Sequence, residues 1–333
     1  MTEENAKQPS DKDNLVSPSA TTENKQAEEH TSLRPSPTPI SNLVGEGVIV
    51  DNKVLPEPLG YLAFTATNWP YPQPAIAANL YVEVNEKFEL VSLNGANFPN
   101  ILDLDWSPDG QQLVIAGTVN SPGRSNLYLV RLEGGIDVEL LVELDADILN
   151  ATWSPDGQKI AFEVWPGEIY TVDLEQRDVI HLSIGMQPDW SSQDIIAFVK
   201  AEKDENENIS TNIYTIAPDG SGLRQLIKPR YNVSQPQWSF DGQEIAYQVM
   251  DSNKVYSSIS VADSNGKNVK QVRLKEQSVD EIMFFSWVPH ENSLLLANMK
   301  DGNLYTYNLA TQTVMLVGRP YSPRGYYYAK VRP

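Results

Sequence analysis

Three histidines, His30, His181 and His290, and not one cysteine leave this 333-residue chain little nucleophilic or metal-binding chemistry. Without cysteine there is no disulfide, thiol nucleophile or thiolate metal site, while the redox compartment stays open. The histidines fall in the N-terminal segment, an expected outer strand and an expected hairpin turn, so they do not read as a metal cluster. A G-x-S-x-G elbow, a phosphate loop and H-E-x-x-H are all absent. Asp103, Asp105 and Asp109 have the spacing of oxygen ligands, as do Asp145 and Asp147. Calcium, however, takes about six to eight oxygens from a loop that wraps the ion. Asp105 and Asp109 instead straddle a strand and its turn. The residues predict no catalytic group, no metal site and no cofactor, although acids lining a channel leave a cation there open.

Forty-four acids against 25 bases give a net charge of −19, with no Lys/Arg run to interrupt it. A phosphate backbone is repelled by such a field, which argues against nucleic acid as a partner. No run of 18 apolar residues is present, so no transmembrane segment is expected. Residues 1–44 are rich in Ser, Thr, Pro and acids, and no aromatic precedes Tyr61. So little apolar surface cannot offset the entropy of ordering the backbone, and the segment reads as a disordered tail or tether. Residues 45–56 read as a lead-in and residues 57–333 as the folded part.

The elements that must position any site are repeated. Trp106-Ser-Pro-Asp109-Gly110-Gln recurs as Trp153-Ser-Pro-Asp156-Gly157-Gln and as Trp238-Ser-Phe-Asp241-Gly242-Gln, with weaker copies at Trp190 and Trp287. Successive tryptophans lie 47, 37, 48 and 49 residues apart. A second landmark, of the type Asn79-Leu80-Tyr81, ends at positions 81, 128, 170, 214, 260 and 305. Taken together the landmarks predict six units. Ser, Pro, Asp and Gly in that order describe a type I turn closed by a bulge, hence a hairpin. Its flanking strands, such as Gln112–Ala116 and Lys159–Glu163, are apolar on nearly both faces, as strands buried between stacked sheets are. A four-stranded sheet of this kind buries both faces only against copies of itself, and radial arrangement of the copies is the β-propeller solution. The expected fold is therefore all-β: a six-bladed β-propeller of four-stranded antiparallel blades. The Tyr-to-Trp spacing of 25 residues, carried on from Tyr305, lands in Tyr326–Val331, so the C-terminal strand is expected to close the ring. Gly47–Val50 is the rival for that place.

The Trp-Ser-Pro-Asp-Gly hairpin, the x-Ile-Tyr strand and the period near 45 resemble the TolB-type propeller family over essentially residues 57–333. The resemblance extends to the propeller alone, because the α/β domain that precedes it in TolB has no counterpart in residues 1–56. It implies a non-catalytic interaction module outside the cytoplasmic membrane, whereas the literal N-terminus, with neither basic n-region nor apolar h-region, implies the cytoplasm. Oligogalacturonide-lyase-type propellers are similar at the repeat level but use clustered histidines. A glycan-active enzyme with its site in the channel is accordingly the alternative.

The tryptophans divide into two groups. Trp106, Trp153, Trp190, Trp238 and Trp287 end the innermost strand of each repeat and are expected to pack between blades. Trp69 and Trp165 stand outside the pattern, in connections between second and third strands. With Tyr71, Phe98 and Tyr231 they are expected on the face that carries the long loops, and exposed Trp and Tyr are common binding anchors. The acidic loop Asp204-Glu205-Asn206-Glu207 is expected on the same face, biasing it towards basic or neutral partners. The expected partner is another protein or a cell-surface ligand, engaged by a monomer.

Overall fold

In a computed structural model of the chain, the described residues are 62–66, 79–84, 87–91, 100–118, 123–131, 137–250, 258–272, 282–298, 304–318 and 326–331. Side chains of the strands before Ile101 and after Gly318 are not among them. The expected tail (1–44), lead-in (45–56) and rival strand Gly47–Val50 all lie outside the described residues.

Every described element is a strand. The first three are β1 (Leu62–Ala66), β2 (Asn79–Val84) and β3 (Lys87–Val91). Next come β4 (Asn100–Trp106), β5 (Gln112–Thr118), β6 (Asn126–Arg131) and β7 (Asp137–Val142), then β8 (Ile148–Trp153), β9 (Lys159–Val164), β10 (Glu168–Asp173) and β11 (Val179–Ile184). They are followed by β12 (Met186–Trp190), β13 (Ile196–Lys203), β14 (Ile209–Ile216) and β15 (Arg224–Ile227). After them stand β16 (Asn232–Trp238), β17 (Glu244–Met250), β18 (Ser258–Asp263) and β19 (Lys270–Gln271). The last are β20 (Ile282–Trp287), β21 (Ser293–Asn298), β22 (Leu304–Asn308), β23 (Thr313–Gly318) and β24 (Tyr326–Val331).

Beginning at β4, each run of four consecutive strands forms one antiparallel meander, which gives five blades. The expectation of six blades is corrected here. Five blades, not six, are complete copies of the repeat with a described core. The remaining strands form a composite four-stranded sheet, in the order β24-β1-β2-β3, joined from the two ends of the folded region. The Trp-turn landmark occurs five times and counts the complete blades. The Tyr landmark adds a sixth unit because Asn79-Leu80-Tyr81 lies in β2, in a stretch that has no Trp-turn strand ahead of it. The C-terminal strand itself sits where the spacing placed it: β24 runs antiparallel to β1, with Phe64 opposite Ala329. It lies beside β20 on one side and β4 on the other.

Packing follows the apolar second strands. In β9 every residue from Ile160 to Val164 is buried, and in β21 every residue is. Phe162, Phe198 and Phe285 are fully enclosed between blades, in three separate clusters. Removing one such ring costs about 3–5 kcal/mol, so the stability of the five blades is distributed over their mutual interfaces. The innermost strands all carry a register irregularity a few residues before the tryptophan, at Ile101/Asp103, Ile148/Ala151, Met186/Asp189, Ser234/Gln237 and Ile282/Phe284. A bulge bends its strand and re-aims the side chains that follow. Here the residues that follow include Asp105, Thr152 and Asp189, whose side chains reach the neighbouring blade.

Candidate functional site: the hairpin end of the channel

The Ser-Pro-Asp-Gly hairpin is a closed hydrogen-bonded unit. Ser154 Oγ donates to Asp156 Oδ1 at 2.6 Å and accepts from the Lys159 N–H at 2.8 Å, while Asp156 Oδ1 also accepts from the Gln158 N–H. Ser107 with Asp109 and Ser239 with Asp241 repeat the arrangement. The serine hydroxyl is the main cause that holds the carboxyls of Asp156 and Asp241 below the usual range. Gly110, Gly157 and Gly242 close these turns at φ of 66°, 70° and 67°, a left-handed backbone that glycine adopts without strain. The drifted copies keep a turn: Asp194 takes φ of 60° at the glycine position, whereas in the last copy the positive φ, 59°, falls one residue earlier, on His290. His290 is thus a residue of the β20–β21 turn, and His181 stands on outer strand β11.

Each turn delivers its tryptophan to the same place. Trp106, Trp153, Trp190, Trp238 and Trp287 are all buried, and the ends of their strands surround a cavity of about 260 Å³ at the hairpin end of the channel. Hydroxyls of Thr152, Ser154, Ser192 and Ser239 and the carboxylates of Asp105 and Asp189 alternate with the indoles around it. Phe240 replaces the proline of the third strong copy and stands 41% exposed at the rim. Trp190 Nε1 donates to Asp194 and Trp287 Nε1 to the Gln237 carbonyl. The Nε1 atoms of Trp153 and Trp238 are buried with no partner.

In three of the five blades the polar residue before the tryptophan ties its blade to the next. Asp105 Oδ2 accepts from Thr152 Oγ1 at 3.1 Å and from the Trp153 N–H at 3.2 Å. Thr152 Oγ1 in turn accepts from the Trp190 N–H at 3.4 Å, and Asp189 Oδ2 from the Trp238 N–H at 2.6 Å. Nearer the other end of the channel, Asp103 Oδ2 accepts from the Ala151 N–H, and Gln187 Oε1 from the Gln235 N–H. Glu163, 3% exposed, accepts from the Gln187 N–H. Burial pushes its carboxyl up to about 7, and the nearby Asp103 adds to the rise. This belt of side chain to main-chain bonds is what the sequence reading missed. Its signal was a polar residue, Asp105, Thr152 or Asp189, immediately before the tryptophan.

The residues expected on the long-loop face are dispersed. Trp69, Tyr71 and Phe98 lie outside the described residues. Trp165 follows β9 at the end opposite the cavity and is 62% exposed. Tyr231 is half-buried, with the Arg230 guanidinium 5.4 Å from its ring centre. Asp204, Glu205 and Glu207 are exposed at the tip of the β13–β14 hairpin. There the Asp204 carboxylate holds the turn through Asn206 and Asn208, and Glu207 pairs with Lys203 at 2.7 Å. Among the described residues no three His, Cys, Asp or Glu side chains come together as a metal site.

No family model matches the sequence, and no curated protein matches it. Solved structures do share the fold. TolB from Acinetobacter baumannii superposes with a TM-score of 0.65 at 19% identity, over 84% of this chain and 68% of that one. A chain of the nidogen/laminin complex gives 0.62 at 11% identity, over 82% and 98%. Oligogalacturonate lyase in complex with manganese gives 0.50 at 12%, over 83% and 74%. At such identities the likeness concerns architecture, and the architecture of this chain is a TolB-like β-propeller.

Proposed function

We propose that the protein is a non-catalytic binding propeller that takes a short segment of a partner protein into the hairpin end of its channel. One observation carries this reading: five successive repeats bring a tryptophan and a hydroxyl or carboxylate to a single cavity of about 260 Å³. That volume suits one or two side chains rather than a whole cofactor. A concave site with apolar walls and a few placed polar groups is the usual form of a recognition pocket. The walls are held by hydrogen bonds between blades, so the pocket is organised before a partner arrives, which lowers the entropy lost on binding. Indoles, hydroxyls and two carboxylates favour a neutral or basic polar insert over an anionic one.

Selection of displayed peptides against the intact chain tests the reading, with Phe240→Ala and Ser192→Arg as site variants. Both positions are exposed at the cavity, so the fold is expected to tolerate the changes. Selected peptides should weaken by about tenfold or more on each variant, equivalent to roughly 1.4 kcal/mol, with unchanged melting temperature. Peptides that bind both variants as they bind the parent chain would sink the proposal.

A further inference from the structure

At the other end of β9 the chain presents a second surface of different chemistry. Trp165 is 62% exposed and Ile184 is 66% exposed, and Glu168, three residues after Trp165, pairs with Val164 on one side and Ile184 on the other. The indole is exposed on a fixed backbone. The Trp165 N–H donates to the Asp147 carbonyl at 2.8 Å, the Gly167 N–H to the Val164 carbonyl, and the Gly185 N–H to the Gly167 carbonyl. Gly185 is itself confined, because a Cβ there would stand 2.3 Å from the Phe198 ring.

Acidic residues predominate in the segments next to this turn. The β7–β8 connection that receives the Trp165 N–H carries Glu143, Asp145 and Asp147, and Glu168 adds a fourth carboxylate from β10. Against them stands Arg124, paired with Asp145 at 2.9 Å, and His181, 3.7 Å from Glu168. Asp147 is occupied by the main-chain N–H and hydroxyl of Ser125. Glu143 is exposed and Glu168 is 44% exposed. An exposed indole on a surface with an excess of carboxylates attracts a cation twice, through its π face and through the net charge of the surface.

We propose that the Trp165 turn is a docking point for a basic segment of a partner protein, with an arginine or lysine laid on the indole and an apolar neighbour against Ile184. This surface is separated from the cavity by the length of β9 and does not depend on the cavity reading. The chain thereby has two binding ends, one for a segment inserted into the channel and one for a basic surface segment.

The test uses the full chain and two synthetic peptides, one alternating arginine with leucine and one alternating glutamate with leucine, with indole N–H signals and fluorescence as readouts. The arginine peptide should shift the Trp165 indole and weaken as salt rises, and the glutamate peptide should not bind. Trp165→Ala should weaken the arginine peptide at least tenfold with unchanged melting temperature, Trp165→Phe should keep part of the affinity, and Glu143→Gln with Glu168→Gln should weaken it about threefold or more. Phe240→Ala at the cavity should leave this binding as it is. If the arginine peptide binds Trp165→Ala as tightly as the parent chain, the attraction is a general property of an acidic protein and the proposal fails. Absence of binding by the arginine peptide overturns it equally.

Discussion

The carboxylate of Asp189 accepts a 2.6 Å hydrogen bond from the main-chain N–H of Trp238, which lies in the next blade and one repeat further along the chain. The same relationship joins Asp105 to Trp153. A charged acceptor strengthens such a bond, and its loss leaves a buried N–H without a partner. Asp189→Ala is therefore expected to destabilise the protein by about 1–3 kcal/mol, read as a lower melting temperature, and to loosen the cavity that both residues line. An unchanged melting temperature would show that the brace is incidental.

Glu163 predicts a pH dependence. Its carboxyl ordinarily titrates at 4.5 and is pushed up to about 7 by burial, with the neighbouring Asp103 adding to the effect. The folded chain thus holds this proton more tightly than the unfolded chain does. Below pH 4.5 both states are protonated and Glu163 imposes no cost. As pH rises from 4.5 to about 7 the unfolded state gains from ionisation first, so stability falls across that window and is level above it. Glu163→Gln keeps an acceptor for the Gln187 N–H and removes the charge. It should stabilise the protein at pH 8 by up to about 3 kcal/mol and have little effect at pH 4.5. A variant that is less stable at both pH values would contradict this account.

How much of this was legible in the sequence depends on which landmark is followed. Trp153, Asp156 and Gly157 gave their hairpin correctly because the turn is local: hydroxyl, carboxylate and left-handed glycine all lie within six residues. The strand Tyr326–Val331 was also placed correctly, from spacing alone. The blade count was not, because Tyr81 belongs to a sheet that combines strands from both ends of the folded region, and a local motif carries no information about such a partner. The role of Asp189 was hidden for a related reason. Its acceptor bond is made 49 residues away, and only the fold shows that those residues are adjacent.

Gly185 is expected to tolerate no side chain. A Cβ there would meet the Phe198 ring at 2.3 Å and 2.7 Å, and that ring is fully buried. Gly185→Ala must push the phenyl group or shift the backbone that holds the Trp165 turn. Such overpacking typically costs about 1–3 kcal/mol. A melting temperature equal to that of the parent chain would indicate that the β11–β12 connection yields without strain.

Removal of the chain from Tyr326 onwards deletes β24, the partner of β1. The edge of β1 then lacks its hydrogen-bonding neighbour, and β20 and β4 lose the strand between them. A loss of several kcal/mol is expected, together with aggregation through the exposed edge. Retention of the parent melting temperature and of a monodisperse solution state would refute this role for the C-terminal strand.

The chain contains seven tryptophans, which gives a direct reading of where a partner sits. Five of them line the cavity and Trp165 marks the opposite end. The decisive measurement is an indole N–H spectrum of the intact protein titrated with a peptide selected for binding to it. Channel insertion predicts that the signals of Trp106, Trp153, Trp190, Trp238 and Trp287 shift together while that of Trp165 stays in place. Shifts confined to Trp165 or Trp69, with the five cavity indoles unmoved, would contradict it.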